Sequence, residues 1–487
     1  MEARMLRIKT DLFDSVKIRK IRLIRAPILR ARPTPKGLAR NFPGSIFVYH
    51  FPVMIKFIFT LLSLLLIVQL VYPFLTVLLA RIFGKERLSQ AGFPSHAVSS
   101  SHRLTNHTTH NPTDFACVIT AYRNAAIARP LVESLLRQTW PSHIVYLVAD
   151  ECPEVDFGLS DERFVLLKPA VPLRLKAKSI IHALENFRRP HDYVVILDAD
   201  NLAHPQFLEE INRYVQAGHL CIQGQRTAKN LDTTYAALDS MGEHYKNYLE
   251  RYVPYLLGGS AVISGSGMAT RTDLYRAYLQ SPEIQRGQHE WKKMLQEDKI
   301  LQNFILHQGK KIAYARQAVV YDEKVDTGAA VETQRSRWLF SYFQNLPNSA
   351  GLLLRGLLRL NWNQFYFGFV TLALPMFIQA GLAGLLAFAG LFVAPGWSVA
   401  LLAALLLFKL TILWVLKLDE APQPVWDAVW QVPRFVWRQF TGLFKMRDPN
   451  KNFKHTEHRK YVSVDELVTP AANDPALPAD NRQNNNP

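Results

Sequence analysis

Three acidic runs and one basic-aromatic run stand out as residues whose types and spacing could do chemistry. Asp198-Ala199-Asp200 closes the apolar run at residues 193–197, YVVIL. Two carboxylates one residue apart at a strand end can share a hard divalent cation and leave coordination positions for phosphate oxygens. An acidic pair in that place can equally cap the following helix. Asp150-Glu151 closes a second apolar run, IVYLVA at residues 144–149. Glu297-Asp298 lies in residues 294–306, MLQEDKILQNFIL, whose apolar positions recur at helical spacing. The plainest role of that pair is favourable charge near a helix N-terminus. Gln334-Arg335-Ser336-Arg337-Trp338 follows a Gly- and polar-rich stretch, where the plainest reading is a solvated basic turn.

The elements that must position these residues alternate between short apolar runs and amphipathic stretches. Strands are expected at 115–120, 144–149, 164–167 and 193–197, with helices at 126–138 and 178–186. That alternation describes an α/β domain with a mostly parallel sheet and helices on both faces. Ligands of such sheets bind beyond the carboxyl ends of the strands. The residues just past those ends are polar here: Tyr122 and Arg123, Asp150 and Glu151, Asp198 and Asp200. Neither GxGxxG nor GxxxxGK[ST] follows any strand, which excludes the dinucleotide fingerprint and the P-loop.

Taken in order, Asp150, Asp198-x-Asp200, Glu297-Asp298 and Gln334-x-x-Arg337-Trp338 resemble the D, DxD, [TE]D, QxxRW series of membrane-embedded family 2 glycosyltransferases, the cellulose, chitin and hyaluronan synthase type. The resemblance covers residues 113–345. It extends to Ser264-Gly265-Ser266-Gly267-Met268, similar to the family's Gly-rich acceptor-side strand, and to NFKHTEHRK at 452–460, where Phe453 replaces a Trp. Lys176-Ala177-Lys178 matches the family's Lys-Ala-Gly only in part, and Gln296 stands where Thr is common. The resemblance implies a GT-A-type fold and an inverting transfer of sugar from a nucleotide-diphosphate donor. It implies Mg2+ or Mn2+ on Asp198 and Asp200, neutralising the departing diphosphate. It assigns donor contacts to Tyr122, Asp150, Lys176, Asp198 and Arg337, with Arg337 a charged planar fork for the diphosphate. Asp298, beside Glu297, becomes the general base, and Gln334 and Trp338 face a glycan or lipid-linked acceptor.

Composition sets the surroundings. The chain has 487 residues, 49% apolar and 20% charged, which excludes wholesale disorder. Three cysteines without a CxxC pair exclude a disulfide framework and a cysteine zinc cage, so the catalytic part is expected in a reducing compartment. The net charge is 57 − 40 = +17, and residues 1–40 carry 12 Lys/Arg against Glu2, Asp11 and Asp14. The excess therefore sits in an arm and at membrane flanks without a recognisable nucleic-acid module, so no nucleic-acid partner is expected.

Residues 57–80 are 24 apolar or weakly polar residues, long enough to span a bilayer. A second block, 365–393 and 397–415, is split by Ala394-Pro395-Gly396 and is expected as a membrane hairpin. Basic flanks place residues 84–364 and the tail on the cytoplasmic side of an inner membrane. For the first block three readings stay open: one span, two spans with a turn at Tyr72-Pro73, or a start at Met54 with 1–53 an upstream extension. The expected order is a basic arm 1–45, a transmembrane segment 46–83, a linker 84–112, a glycosyltransferase domain 113–345, an interfacial helix 346–364, a membrane hairpin 365–416, an interfacial helix and basic tail 417–465, and a disordered tail 466–487. Polysaccharide synthesis, with a partner chain completing an export channel, is the first reading. Transfer of one sugar to a membrane lipid is the second, and a non-catalytic membrane scaffold the third.

Overall fold

The computed structural model describes residues 44–85, 112–153, 157–290, 296–444 and 464–468. The basic arm up to residue 43, residues 86–111 of the linker, the 452–460 segment and most of the acidic and Asn-rich tail lie outside the described residues. The chain divides into two units, Met1–Ile55 and Lys56–Pro487, and the described part of the first is only the opening of one helix.

Eight strands form one sheet: β1 Phe115–Tyr122, β2 His143–Asp150, β3 Phe164–Leu167, β4 Tyr193–Asp198, β5 Leu202–Ala203, β6 Cys221–Ala228, β7 Met268–Arg271 and β8 Ala313–Asp322, in the order β3-β2-β1-β4-β7-β6-β8-β5. Every residue of β2 is buried, and β1 is buried for its first five residues. Such unbroken apolar runs suit strands covered on both faces. Four pairings are parallel and three antiparallel. The expected parallel character thus holds across β3-β2-β1-β4, while β7 and β5 run against their neighbours and make the sheet mixed. Residues 264–271 could not signal this, because a four-residue strand preceded by alternating Ser and Gly has no periodicity to read.

The register decides where the chemistry sits. The chain leaves β1 toward β2 and β3 and returns to pair β4 on the other side of β1, which creates a switch point. Tyr122 of β1 pairs with Asp150 of β2, and Thr120 pairs with Asp198 of β4. Three of the candidate residues therefore emerge along one edge.

Twelve of the helices among the described residues frame the sheet and the apolar segments. They are α1 Gly44–Phe83, α2 Arg129–Leu136, α3 Lys176–Glu185, α4 Phe207–Gln216, α5 Thr234–Lys246, α6 Thr272–Leu279, α7 Glu297–His307, α8 Gly328–Leu358, α9 Trp362–Leu372, α10 Met376–Val393, α11 Pro395–Leu418 and α12 Val432–Phe444. Among the described residues, three segments are long and apolar enough to cross a membrane: Val53–Phe83, Met376–Val393 and Pro395–Leu418.

Three expectations need correction. The first apolar block is one continuous helix, so no turn forms at Tyr72-Pro73. The block 365–393 is not one span: α9 ends at Leu372, and α10 begins after Pro375, which has no N–H to continue the helix. Residues 346–358 are no separate interfacial helix but the second half of α8, which also carries Gln334, Arg337 and Trp338. The helix runs through Pro347, and α8 then folds back against α9. That hairpin depends on glycine. A Cβ on Gly356 would lie 2.1 Å from the Phe365 backbone nitrogen, and one on Gly368 2.4 Å from that of Leu353.

Candidate active site

All ten residues singled out from the sequence line one cavity of about 2230 Å³: Tyr122, Asp150, Lys176, Asp198, Asp200, Glu297, Asp298, Gln334, Arg337 and Trp338. The strand ends supply its floor, the starts of α3 and α7 one wall, and α8 the other. Beyond Trp338 the cavity continues between α10, α11 and α12, where Met376, Leu405, Ile412 and Val436 line it.

Asp150 is 2% exposed, and its carboxylate accepts the backbone N–H groups of Leu173 at 2.9 Å and Arg174 at 2.6 Å. It therefore holds the loop that leads into α3, and Arg174 sits there at φ +59°. Glu151 binds the Arg174 guanidinium at 2.7 Å. Hydrogen bonds from Arg174 and Tyr122 hold its carboxyl below the usual carboxylate value. Burial, followed by the hydrogen bond to Glu151, raises the Tyr122 phenol. Arg123 stacks 4.9 Å from the Tyr122 ring centroid.

The DxD turn is fastened from below. Asn201 Oδ1 accepts the Asp198 N–H at 3.0 Å and the Ser266 hydroxyl. Lys229 Nζ donates to the Asp200 carbonyl at 3.0 Å. Asn201 directly follows the motif, so the signal was available in the sequence. At the first position of α3, Lys176 Nζ lies 2.6 Å from Asp198 Oδ1, 2.9 Å from the Gly265 carbonyl and 3.7 Å from Glu297 Oε1. Burial works against the Lys176 charge, but Asp198 and Glu297 outweigh it and hold the ammonium above its ordinary value. Gly265, at φ +83°, brings its backbone against the Asp298 side chain. That φ favours glycine, while a Cβ there would still meet Asp298 Cβ at an ordinary 3.6 Å.

Glu297 and Asp298 open α7, as their expected place near a helix start required, and Gln296 precedes them in the left-handed region at φ +56°. Burial raises the Glu297 carboxyl, Lys176 opposes it, and Asp298 adds to it. Asp198 and Asp200 offer hard oxygen donors fit for a divalent ion. Among the described residues no group of three His, Cys, Asp or Glu side chains could cage one. The donor set fits an ion that takes its remaining oxygens from a diphosphate.

On α8, Arg337 is half-buried, and the loss of solvent around its guanidinium pulls it below its ordinary value. Trp338 is flanked by two cations: Lys246 Nζ is 4.5 Å from its ring centroid and Arg335 Cζ 4.4 Å. Arg335 also pairs with Asp239 of α5. Beneath them, Glu243 binds Arg251 at 2.9 Å and Lys324 at 3.4 Å, and Asp322 binds Lys324 at 2.9 Å and Arg226. Burial alone would raise Glu243, but Lys324, Arg226 and Arg251 outweigh it and hold it well below the carboxylate range. Sequence reasoning gave no role to Lys246 or to this network. Their members come from β6, α5, the turn at Asn247–Tyr252, the end of β8 and α8, so no local pattern marks them.

Residues 112–341 match the family described as Glycosyltransferase like family 2. No curated protein matches the chain. Among solved structures, a mannosyltransferase of Pyrobaculum calidifontis in complex with GDP-Man and Mn2+ is similar at 15% identity and a TM-score of 0.40, covering 72% of this chain and 99% of its own. S. aureus TarS 1–349 in complex with UDP is similar at 13% identity and a TM-score of 0.31, covering 45% of this chain and 64% of its own. At these scores the family match alone carries the assignment: the chain is an enzyme with a glycosyltransferase family 2-like domain at residues 112–341.

Proposed function

We propose that this enzyme transfers a sugar, with inversion, from a nucleoside-diphosphate sugar to an acceptor presented at the cytoplasmic face of a membrane that α1, α10 and α11 cross. The observation that carries the reading is the single cavity that joins the DxD turn, the acidic start of α7 and the Gln334–Trp338 turn of α8 to apolar helices.

In this reading Tyr122 and the loop held by Asp150 border the nucleoside. Lys176 and Arg337 face the diphosphate with permanent or nearly permanent charge. Asp198 and Asp200 would hold Mg2+ or Mn2+, which supplies neutralisation of the charge growing on the leaving group. Asp298 takes the proton of the acceptor hydroxyl as that oxygen attacks C1 from the face opposite the diphosphate, contributing on the order of 10²–10⁴-fold. Glu297, kept close to Lys176, maintains the local field, and Gln334 and Trp338 border the acceptor. A glycan resting on Trp338 would be extended at this position. The apolar continuation of the cavity favours a lipid acceptor.

The test is a panel of UDP- and GDP-sugars incubated with detergent-purified full-length protein and Mg2+ or Mn2+, measuring free nucleoside diphosphate. One donor is expected to be consumed in a metal-dependent way, and Asp298→Asn is expected to abolish the consumption. A panel that gives neither binding nor release sinks the reading.

A further inference from the structure

Gln296 combines an unusual backbone with a side chain turned away from its own helix. It is the N-cap of α7 at φ +56° and ψ +43°, where N-cap residues ordinarily are extended. The left-handed region costs an L-residue free energy that its surroundings must offset. The Gln296 side chain makes no capping bond to α7. It is 9% exposed, and both ends of its amide reach α8. Oε1 accepts the Ser341 hydroxyl at 2.8 Å, and Nε2 donates to Gln344 Oε1. The Gln296 carbonyl accepts the N–H groups of Lys299 at 3.0 Å and Ile300 at 3.1 Å, so this residue opens the helix that carries Glu297 and Asp298.

The place of the contact on α8 gives it meaning. Ser341 lies four residues after Arg337 and three after Trp338, hence on the same helix face. Gln296, Arg337, Trp338 and Ser341 all line the cavity. Two turns farther along α7, Asn303 Nδ2 donates to Asn345 Oδ1 at 3.1 Å, and Asn345 Nδ2 donates to Ser349 Oγ at 3.3 Å. Asn303 and Asn345 are buried, and buried amides of this kind fix one helix register because slipping leaves them unpaired. The far pair docks the two helices. The near pair ties the residue before Glu297-Asp298 to the turn of α8 that follows Arg337 and Trp338.

We propose that Gln296 is a positioning residue: clamped by Ser341 and Gln344, it holds the start of α7 so that Asp298 meets the acceptor hydroxyl beside Trp338. The proposal rests on the transfer reading above, in which Asp298 takes the proton, and adds a route by which α8 sets the base. Gln296 touches no reacting atom. Its effect runs through the backbone. Without the clamp the N-cap relaxes towards the extended conformation, and the Asp298 carboxylate, two residues on, turns with it. A misplacement of about 1 Å costs about 10²-fold in rate. Donor binding is insulated from this change, since Lys176 of α3 keeps Asp198 of β4 at 2.6 Å.

The test compares Gln296→Gly, Ser341→Ala, Ser341→Thr and Asn303→Ala in detergent-purified full-length protein. Nucleoside diphosphate release gives kcat and donor KM on the UDP- or GDP-sugar that the panel shows to be consumed. Glycine adopts the left-handed backbone without strain, so a loss in Gln296→Gly separates the clamp from the conformation. That variant is expected to lower kcat by about 10–100-fold with donor KM within about threefold. Ser341→Ala should lose part of kcat, and Ser341→Thr, which keeps the hydroxyl, should recover it. The double variant Gln296→Gly/Ser341→Ala should be no slower than Gln296→Gly, because both changes remove one contact. Asn303→Ala breaks only the far pair and should lower the melting temperature while kcat holds. An unaltered kcat in Gln296→Gly, or losses that multiply in the double variant, overturns the proposal. So does an equal kcat loss in Asn303→Ala, which would make general docking of α7 the cause. Asp298→Asn run alongside separates the two levels. Full turnover there refutes the transfer reading's base and the proposal with it. Turnover lost in Asp298→Asn but unaltered in Gln296→Gly refutes the proposal alone.

Discussion

Lys176 Nζ donates to Asp198 Oδ1 at 2.6 Å, so one carboxylate of the DxD turn already holds a cation. A divalent ion approaching Asp198 must share or displace that contact, because two cations on one oxygen repel. Lys176→Met should therefore have two opposed effects. The metal concentration for half-maximal nucleoside diphosphate release should fall, since Asp198 and Glu297 lose their resident cation. The donor KM should rise by about tenfold, since a charge facing the diphosphate is gone. Metal titrations at saturating donor measure the first effect and donor titrations the second. An unchanged metal requirement would show that Lys176 and the ion do not compete.

Asp298 stands at the first turn of α7, beside the Gly265 backbone, and lines the cavity between the DxD turn and Trp338. Replacement by Asn keeps the shape and removes the base. Turnover is expected to drop by about 10²–10⁴-fold while donor binding, read by calorimetry, stays within about twofold. Glu297→Gln should behave differently. It removes a charge next to Lys176, so its loss should appear in donor affinity. Substantial residual turnover in Asp298→Asn would remove Asp298 from the proton transfer.

Asp150 was read from the sequence as a donor contact, and its geometry gives it a second task. Both of its oxygens accept backbone N–H groups of the loop before α3. Asp150→Ala leaves two donors without their acceptor, a cost of about 1–3 kcal/mol in stability. Because that loop positions Lys176, the donor KM should rise as well. Asp150→Asn retains one acceptor oxygen and should recover part of the stability, as a lower loss in melting temperature would show. Equal melting temperatures for Asp150→Ala and the unaltered protein would contradict the loop-holding role.

The sequence made some of this legible and hid the rest for physical reasons. The strands through β4 are unbroken apolar runs, so their ends, and with them Tyr122, Asp150 and Asp198, could be read directly. The register that sets Thr120 opposite Asp198 could not, because pairing is a property of two strands. The Gln334–Trp338 turn read as a basic turn before a separate helix. In the structure it lies on α8, whose continuity through Pro347 is secured by packing against α9 at Gly356 and Gly368. Lys246 was silent in the sequence. Its surroundings come from Trp338 on α8 and the Tyr245–Phe408 contact with α11, which only the folded chain assembles.

Lys246 also gives the site a pH signature. Burial pulls its ammonium down to about 8, against Glu250 and Glu243, which push it up, while Arg335 and Arg251 add to the lowering. Since the folded value lies below the ordinary lysine value, the charge is present below pH 8 and lost as the pH rises through it. Turnover, read as nucleoside diphosphate release, is therefore expected to be flat up to about pH 7 and to fall above about pH 8, as the charge against the Trp338 ring is lost. Lys246→Arg should remove the dependence, because a guanidinium stays charged throughout. A slope that survives in Lys246→Arg would assign the titration to another group and separate the pH dependence from Lys246.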